Sequence, residues 1–180
     1  FFVAAEFALV GARRTRLEEM AQRGDKKAVL AQRAQKSLDR YISATQLGIT
    51  LTSLGLGWIG EPALSGIIQG GLVWLPGNLE IIATHALAIA LAFTIITVLH
   101  IILGELVPKA LALLYPERVS AWVAGPLIGF AWVMAIPIAM LNGTANRLVG
   151  LFGIRPASEM ELGATGEELR MLVEHGRSHR

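Results

Sequence analysis

The sequence predicts an all-α membrane protein, with apolar helical spans joined to a basic pair of amphipathic helices on the cytoplasmic side. Three observations predict it. Hydrophobic residues make up 53% of the 180 and charged residues only 17%, where a soluble domain carries about a quarter charged residues. Between Arg40 and Lys109 the only charges are Glu61, Glu80 and Glu105. The basic residues also sit beside apolar stretches, with nine Lys/Arg against four Asp/Glu in residues 13–40. That placement fits a membrane surface better than a nucleic acid. The apolar content excludes disorder. The absence of Cys excludes disulfides and thiolate metal sites.

Residues 1–12 are apolar apart from Glu6 and form the inner half of a first span, whose opening turns are expected upstream. In residues 13–40 apolar side chains recur at helical spacing, with Gly24-Asp25 as a turn signal in the middle. Two short amphipathic helices along the membrane face follow, cytoplasmic by the positive-inside rule. Residues 41–60 carry no charge, and residues 62–79 are rich in Gly and Pro without Lys or Arg. Residues 81–103 are an uncharged 23-residue span, long enough to cross a bilayer. Residues 104–109 interrupt it, and a short apolar helix ends near Tyr115-Pro116. Residues 119–146 are the last apolar stretch, with Pro126 and Pro137 able to kink it. Residues 167–175 begin an amphipathic helix leading into a further domain. With both the hairpin and the C-terminal tail cytoplasmic, an even number of crossings separates them. Three apolar segments lie between, so one does not cross, and a re-entrant hairpin is expected around residues 42–75.

Glu105 is the most informative residue. It closes a 23-residue apolar span and stands between Gly104 and Pro108. A carboxylate there is costly unless it faces a cavity, a partner or a cation. Pro108 lacks an N–H, so the Gly104 carbonyl loses its usual helical partner. A helix broken in this way offers free carbonyl oxygens beside a carboxylate, as cation-binding transporters do, and hard cations such as Mg²⁺ take oxygen ligands. The plain alternative is that Glu105 pairs with Lys109, four residues on.

Ser43, Gln46, Thr50 and Ser53 share an arc of roughly 80° on a helix, continued by Gly57. The opposite side is mixed, with Leu51, Thr45, Gly48 and Thr52. The stripe either lines an ion pathway or joins helices. Glu6 is either a second functional carboxylate or a partner for the hairpin arginines. Asn142 and Asn146 lie one turn apart and suit helix joining. His85 and His100 suit core or interface positions, and Thr94 and Thr97 either extend toward Glu105 or bond back to their own helix. Trp58, Trp74, Trp122 and Trp132 suit interfacial anchoring. No nucleophile, phosphate-loop or nucleic-acid motif occurs, so the chain is not expected to be an enzyme or to bind nucleic acid.

The segments FFVAAEFALV (1–10), SATQLGITLTSLGLG (43–57), GELVPKALAL (104–113) and EELRMLV (167–173) closely resemble bacterial proteins of the CorC/CNNM family. The resemblance runs along the whole chain and matches the family's membrane domain. It implies about three spanning helices plus a re-entrant helical hairpin and a cytoplasmic amphipathic juxtamembrane pair. On this basis residues 1–155 are the transmembrane domain and 156–180 the start of a linker to a nucleotide-binding CBS-pair module. The resemblance further implies a homodimeric Mg²⁺ transporter of the inner (plasma) membrane, multi-pass, exporting Mg²⁺ with Na⁺ coupling in at least some members. Carried over by position, the cation ligands are Glu105, the Gly104 carbonyl, Ser43, Thr50 and Ser53. The chain departs from many members in having Ile49, Thr50 and Ser53 where Asn is frequent, and Val3 where Ser is. The rival reading is a membrane-anchored regulator of another Mg²⁺ transporter. Arginines at the cytoplasmic face would repel cations, and they suit anionic lipid or the regulatory module.

Overall fold

The computed structural model describes residues 1–72 and 81–153, with side chains from 1–71 and 85–153. The described residues are helical throughout apart from short connections. Expectations that fall on 73–80 and 154–180, including Trp74, the end of the Gly/Pro-rich stretch and the amphipathic segment 167–175, lie outside them. Two units are distinguished, Phe1–Ala135 and a second beginning at Ile136.

Helix α1 (Phe2–Gly11) buries Ala5, Ala8 and Leu9. The alanines, one turn apart on this face, let neighbouring backbones approach closely, and α1 packs against α4 (Leu38–Leu72), α6 (Val107–Leu114) and α7 (Pro116–Val133). Its C-terminal carbonyls have no intrahelical donor. The Gln35 amide supplies one, donating to the Leu9 carbonyl at 3.0 Å and the Ala12 carbonyl at 2.7 Å.

Helices α2 (Arg14–Gln22) and α3 (Lys26–Gln35) form the basic hairpin. Gly24 turns the chain with φ +92°, a conformation that costs glycine little. Asp25 then caps α3, its carboxylate accepting from the N–H groups of Lys27 (2.8 Å) and Ala28 (3.3 Å). Leu17, Ala28 and Ala31 join Ala12 and Ala124 in a buried cluster, which seats the hairpin on α7. Arg13 Nε to Glu117 Oε1 (3.2 Å) and Lys27 Nζ over the Trp122 ring (3.7 Å) reinforce the same contact.

Helix α4 runs unbroken from Leu38 to Leu72, through Pro62. The expected re-entrant hairpin around 42–75 therefore has no reversal within Leu38–Leu72. Its last residues, 73–75, lie outside the described ones. Helix α5 (Ile81–Leu99) packs on α4, and Gln69 Nε2 lies 2.7 Å from His85 Nδ1 between them.

Helix α5 continues through a π-helical segment, His100–Leu106, into α6 (Val107–Leu114). Together His85–Leu114 make one 30-residue apolar helix, only 11% of whose most apolar window is buried. At 1.5 Å per residue it is about 45 Å long, more than the roughly 30 Å of bilayer hydrocarbon. The mostly exposed apolar surface separates it from a soluble core helix.

Tyr115 (φ −132°, ψ 57°) ends α6, and α7 (Pro116–Val133) starts with proline in its first turn. Pro126 lies inside α7, and the break between α7 and α8 (Ala135–Leu151) falls at Met134 (φ −92°, ψ 18°). The expected kink at Pro126 thus does not end the helix. The break at Met134 places Pro137 in the first turn of α8, where its missing N–H costs no intrahelical bond. Pro116–Val133 and Ala135–Leu151 count as a second possible crossing only if taken together.

The second unit opens with α8 (Ala135–Leu151, of which Ile136 onward belongs to it). Thr144 donates back to the Met140 carbonyl at 2.8 Å. Gly153 (φ +72°) terminates it, the left-handed ending common after helices.

Candidate cation site

The π segment is the local feature that the sequence misjudged. Proline inside an α-helix loses one bond and clashes with the carbonyl four residues before it, so a break was expected at Gly104–Pro108. The chain instead widens by one residue per turn. The Val107 N–H donates to the Ile102 carbonyl, five residues back. This wider turn absorbs Pro108 without interrupting the helix. Such π turns are rare and concentrate at functional sites.

The turn also brings side chains together. Ser53 Oγ of α4 lies 3.4 Å from His100 Nε2. A cavity of about 350 Å³ opens beside them, lined by Ser53, Thr52, His100 and Gly104, with Phe2 and Ile49 among its apolar walls. Gly104 is needed at this point, because a Cβ there would meet His100 Cδ2 at 2.6 Å.

Of the residues singled out in the sequence, Ser53 and Gly104 share this cavity. Ser43, Thr50 and Glu105 are not among its lining residues. Ser43 donates to the Asp39 carbonyl (2.9 Å) and Thr50 to the Gln46 carbonyl (2.9 Å), both within α4. Glu105 lies on the π segment with an exposed side chain. The alternative pairing with Lys109 does not form, since Lys109 Nζ sits 4.6 Å from the centre of the Phe7 ring and no Glu105–Lys109 bridge occurs among the described residues. Thr94 bonds back to the Ala90 carbonyl at 2.8 Å.

The sequence reading missed a second polar contact. Thr45 is fully buried, and its Oγ1 donates to the Ile42 carbonyl (2.8 Å) and lies 3.5 Å from Glu6 Oε2. Gly48, one turn on, accommodates the Phe2 ring, which a Cβ would approach to 2.5 Å. The face of α4 turned to α1 is thus Thr45–Gly48–Thr52, the side that looked merely mixed. Its spacing of small and hydroxyl residues at i, i+3 and i+7 was the available signal. Glu6 faces Thr45, while the hairpin's Arg13 bonds Glu117. His100, placed in the sequence only as a core or interface residue, joins the cavity. Among the described residues no three of His, Asp and Glu cluster as a metal site. A cation in this cavity would therefore rely on hydroxyl, carbonyl or water oxygens.

The comparisons with known proteins decide the family. The model of the cyclin M transmembrane N-terminal domain matches residues 1–180. The chain belongs to the CNNM family. It is 45% identical over 173 residues to the UPF0053 protein YhdT of Bacillus subtilis, covering 96% of this chain and 37% of that protein. Rv1841c of Mycobacterium tuberculosis is 38% identical over 175 residues, covering 96% and 48%. The protein sll0260 of Synechocystis is 34% identical over 177 residues, covering 97% and 38%. The chain thus spans less than half the length of these relatives. No solved structure matches it. Family and apolar helix together make this CNNM domain a membrane protein.

Proposed function

We propose that this CNNM domain is the translocating part of a homodimeric Mg²⁺ transporter in the inner membrane, exporting Mg²⁺ by alternating access with a Na⁺ gradient as the driving force. The observation that carries the reading is the π turn at His100–Leu106. It places Glu105 on a helix with no other Asp, Glu, Lys or Arg between Ile81 and Pro108. A carboxylate at that depth, flanked by exposed Leu103 and Leu106, is costly against lipid. It is tolerated when a cation, a hydrated cavity or a second protomer covers it. Any of these is what a cation pathway at a dimer centre provides.

In this reading Glu105 supplies the charge that offsets Mg²⁺ dehydration, and Ser53, Thr50 and the Gly104 carbonyl contribute oxygens, while Ser43, roughly 15 Å from Ser53 along α4, is out of reach of the same ion. Mg²⁺ demands rigid, near-octahedral oxygen geometry and sheds water reluctantly, so a partly hydrated ion suits the few carboxylates present. Movement of the π-bearing helix against α4 would switch access between the two sides. The basic hairpin and the C-terminal end face the cytoplasm.

The test is Mg²⁺ flux through liposomes containing the full-length protein, under imposed Na⁺ gradients, with Ca²⁺ as comparator. Wild type should carry Mg²⁺ and Glu105→Ala should not, while remaining folded and dimeric. Absence of flux in folded wild type would favour the membrane-anchored regulator instead.

A further inference from the structure

A cavity of about 440 Å³ lies where the basic hairpin meets the junction of α6 and α7, and it shares no lining residue with the cavity beside Ser53 and His100. Its walls combine apolar and cationic side chains. Met20 and Leu114 supply the first kind, Arg16, Arg23 and Arg118 the second, with Tyr115 beside them. The two acids in its lining are already engaged. Glu117 accepts from Arg13 at 3.2 Å and Glu19 from Arg16 at 2.9 Å. Arg23 and Arg118 have no carboxylate partner among the described residues. The N-terminus of α7 lies at the same place without a capping side chain from Tyr115, and the positive end of the helix dipole adds to the potential there.

The position identifies the ligand. Leu114 is the last residue of the apolar helix His85–Leu114, so the cavity sits where hydrocarbon gives way to headgroups. Trp122, 71% exposed and stacked under Lys27, marks the same interfacial layer, as aromatic and basic anchors do. A ligand here needs an anion for the two arginines and an apolar body for Met20 and Leu114.

We propose that this cavity is a binding site for the phosphate headgroup of an anionic phospholipid. Arg23 and Arg118 bind the phosphate oxygens, a task the guanidinium fork suits. The lipid's glycerol and first acyl carbons lie along Met20 and Leu114. By bridging α2 to the α6–α7 junction, the lipid fixes the hairpin against the span.

The test is native mass spectrometry of the full-length protein in detergent, titrated with phosphatidylglycerol or with phosphatidylcholine of the same acyl chains. A basic side chain near an anionic lipid surface strengthens attachment by about fivefold. Arg23→Gln and Arg118→Gln should each weaken phosphatidylglycerol binding by about that factor, and the double variant by roughly 25-fold. Arg14→Gln changes net charge equally but lies outside the cavity, and it should bind as wild type does. Arg23 and Arg118 are both exposed, and either single variant suffices if the other misfolds. Equal loss in Arg14→Gln would reduce the effect to diffuse charge and overturn the site. Equal retention of phosphatidylcholine would overturn the anion requirement. Saturation by glycerol 3-phosphate at the same concentration would assign the cavity to a soluble phosphate and overturn the lipid.

Discussion

Replacing Gly48 with alanine isolates the contact that holds α1 on α4. A Cβ at Gly48 would sit 2.5–2.6 Å from three carbons of the Phe2 ring, where carbon atoms rest at about 3.5–4.0 Å. The ring must therefore move by roughly 1 Å. It cannot do so freely, because Phe130 lies 4.7 Å from it, centre to centre. Forced repacking of this kind costs about 1–3 kcal/mol. Alanine also favours the helix over glycine by about 1 kcal/mol. Gly55 provides the reference, since it lies on the same helix with nothing within 4 Å of its virtual Cβ. The propensity gain is common to both substitutions, so their difference is the steric cost alone. Thermal unfolding in detergent, followed by tryptophan fluorescence, should place Gly48→Ala below Gly55→Ala by 1–3 kcal/mol, at about 2–4 °C per kcal/mol for a chain of this size. Adding Phe2→Leu to Gly48→Ala should recover part of the loss, as coupled neighbours do. Equal melting of Gly48→Ala and Gly55→Ala would refute the packing described between α1 and α4.

Two further outcomes follow from other contacts. Gln35→Met should destabilise by about 1–3 kcal/mol, because the Leu9 and Ala12 carbonyls lose their donor. Gln35→Glu should cost more, since a carboxylate then faces two carbonyl oxygens, and the same melting assay ranks the pair. Gly104→Ala should displace the His100 ring, 2.6 Å from the added Cβ, away from Ser53. The imidazole resonances should shift in NMR while circular dichroism keeps its helical signal, and Mg²⁺ flux should fall severalfold, because the cavity wall moves.

Much of the architecture was legible because its causes are local. Gly24-Asp25 announced the turn between α2 and α3, since positive φ is a property of glycine, whereas the capping of α3 by Asp25 emerged only from the structure. Tyr115-Pro116 likewise marked where α6 ends. The π turn was not legible, because Pro108 states that an α-helical bond is missing but not how the chain compensates. Breaking and widening both satisfy that local constraint. The choice between polar faces of α4 was hidden for a related reason. Ser43–Thr50–Ser53 and Thr45–Gly48–Thr52 have similar helical spacing, and the Phe2 ring and Glu6 select the second for contact with α1. Ser53 and Gly104 were found from the sequence and do share a cavity. His100 completes it through a contact 47 residues apart along the chain, beyond the reach of periodicity. The break at Met134, rather than Pro126, reflects where proline fits a new first turn.

The most direct test of the central claim is equilibrium Mg²⁺ binding to the purified full-length protein, wild type against Glu105→Gln, with Ser53→Ala alongside. Glutamine keeps the shape and removes the charge that offsets dehydration. The account predicts saturable Mg²⁺ binding in wild type, its loss in Glu105→Gln, and weakening in Ser53→Ala, with the melting temperature of the metal-free protein essentially unchanged in all three. Undiminished Mg²⁺ binding by folded Glu105→Gln would contradict it, and would move the cation away from the π turn.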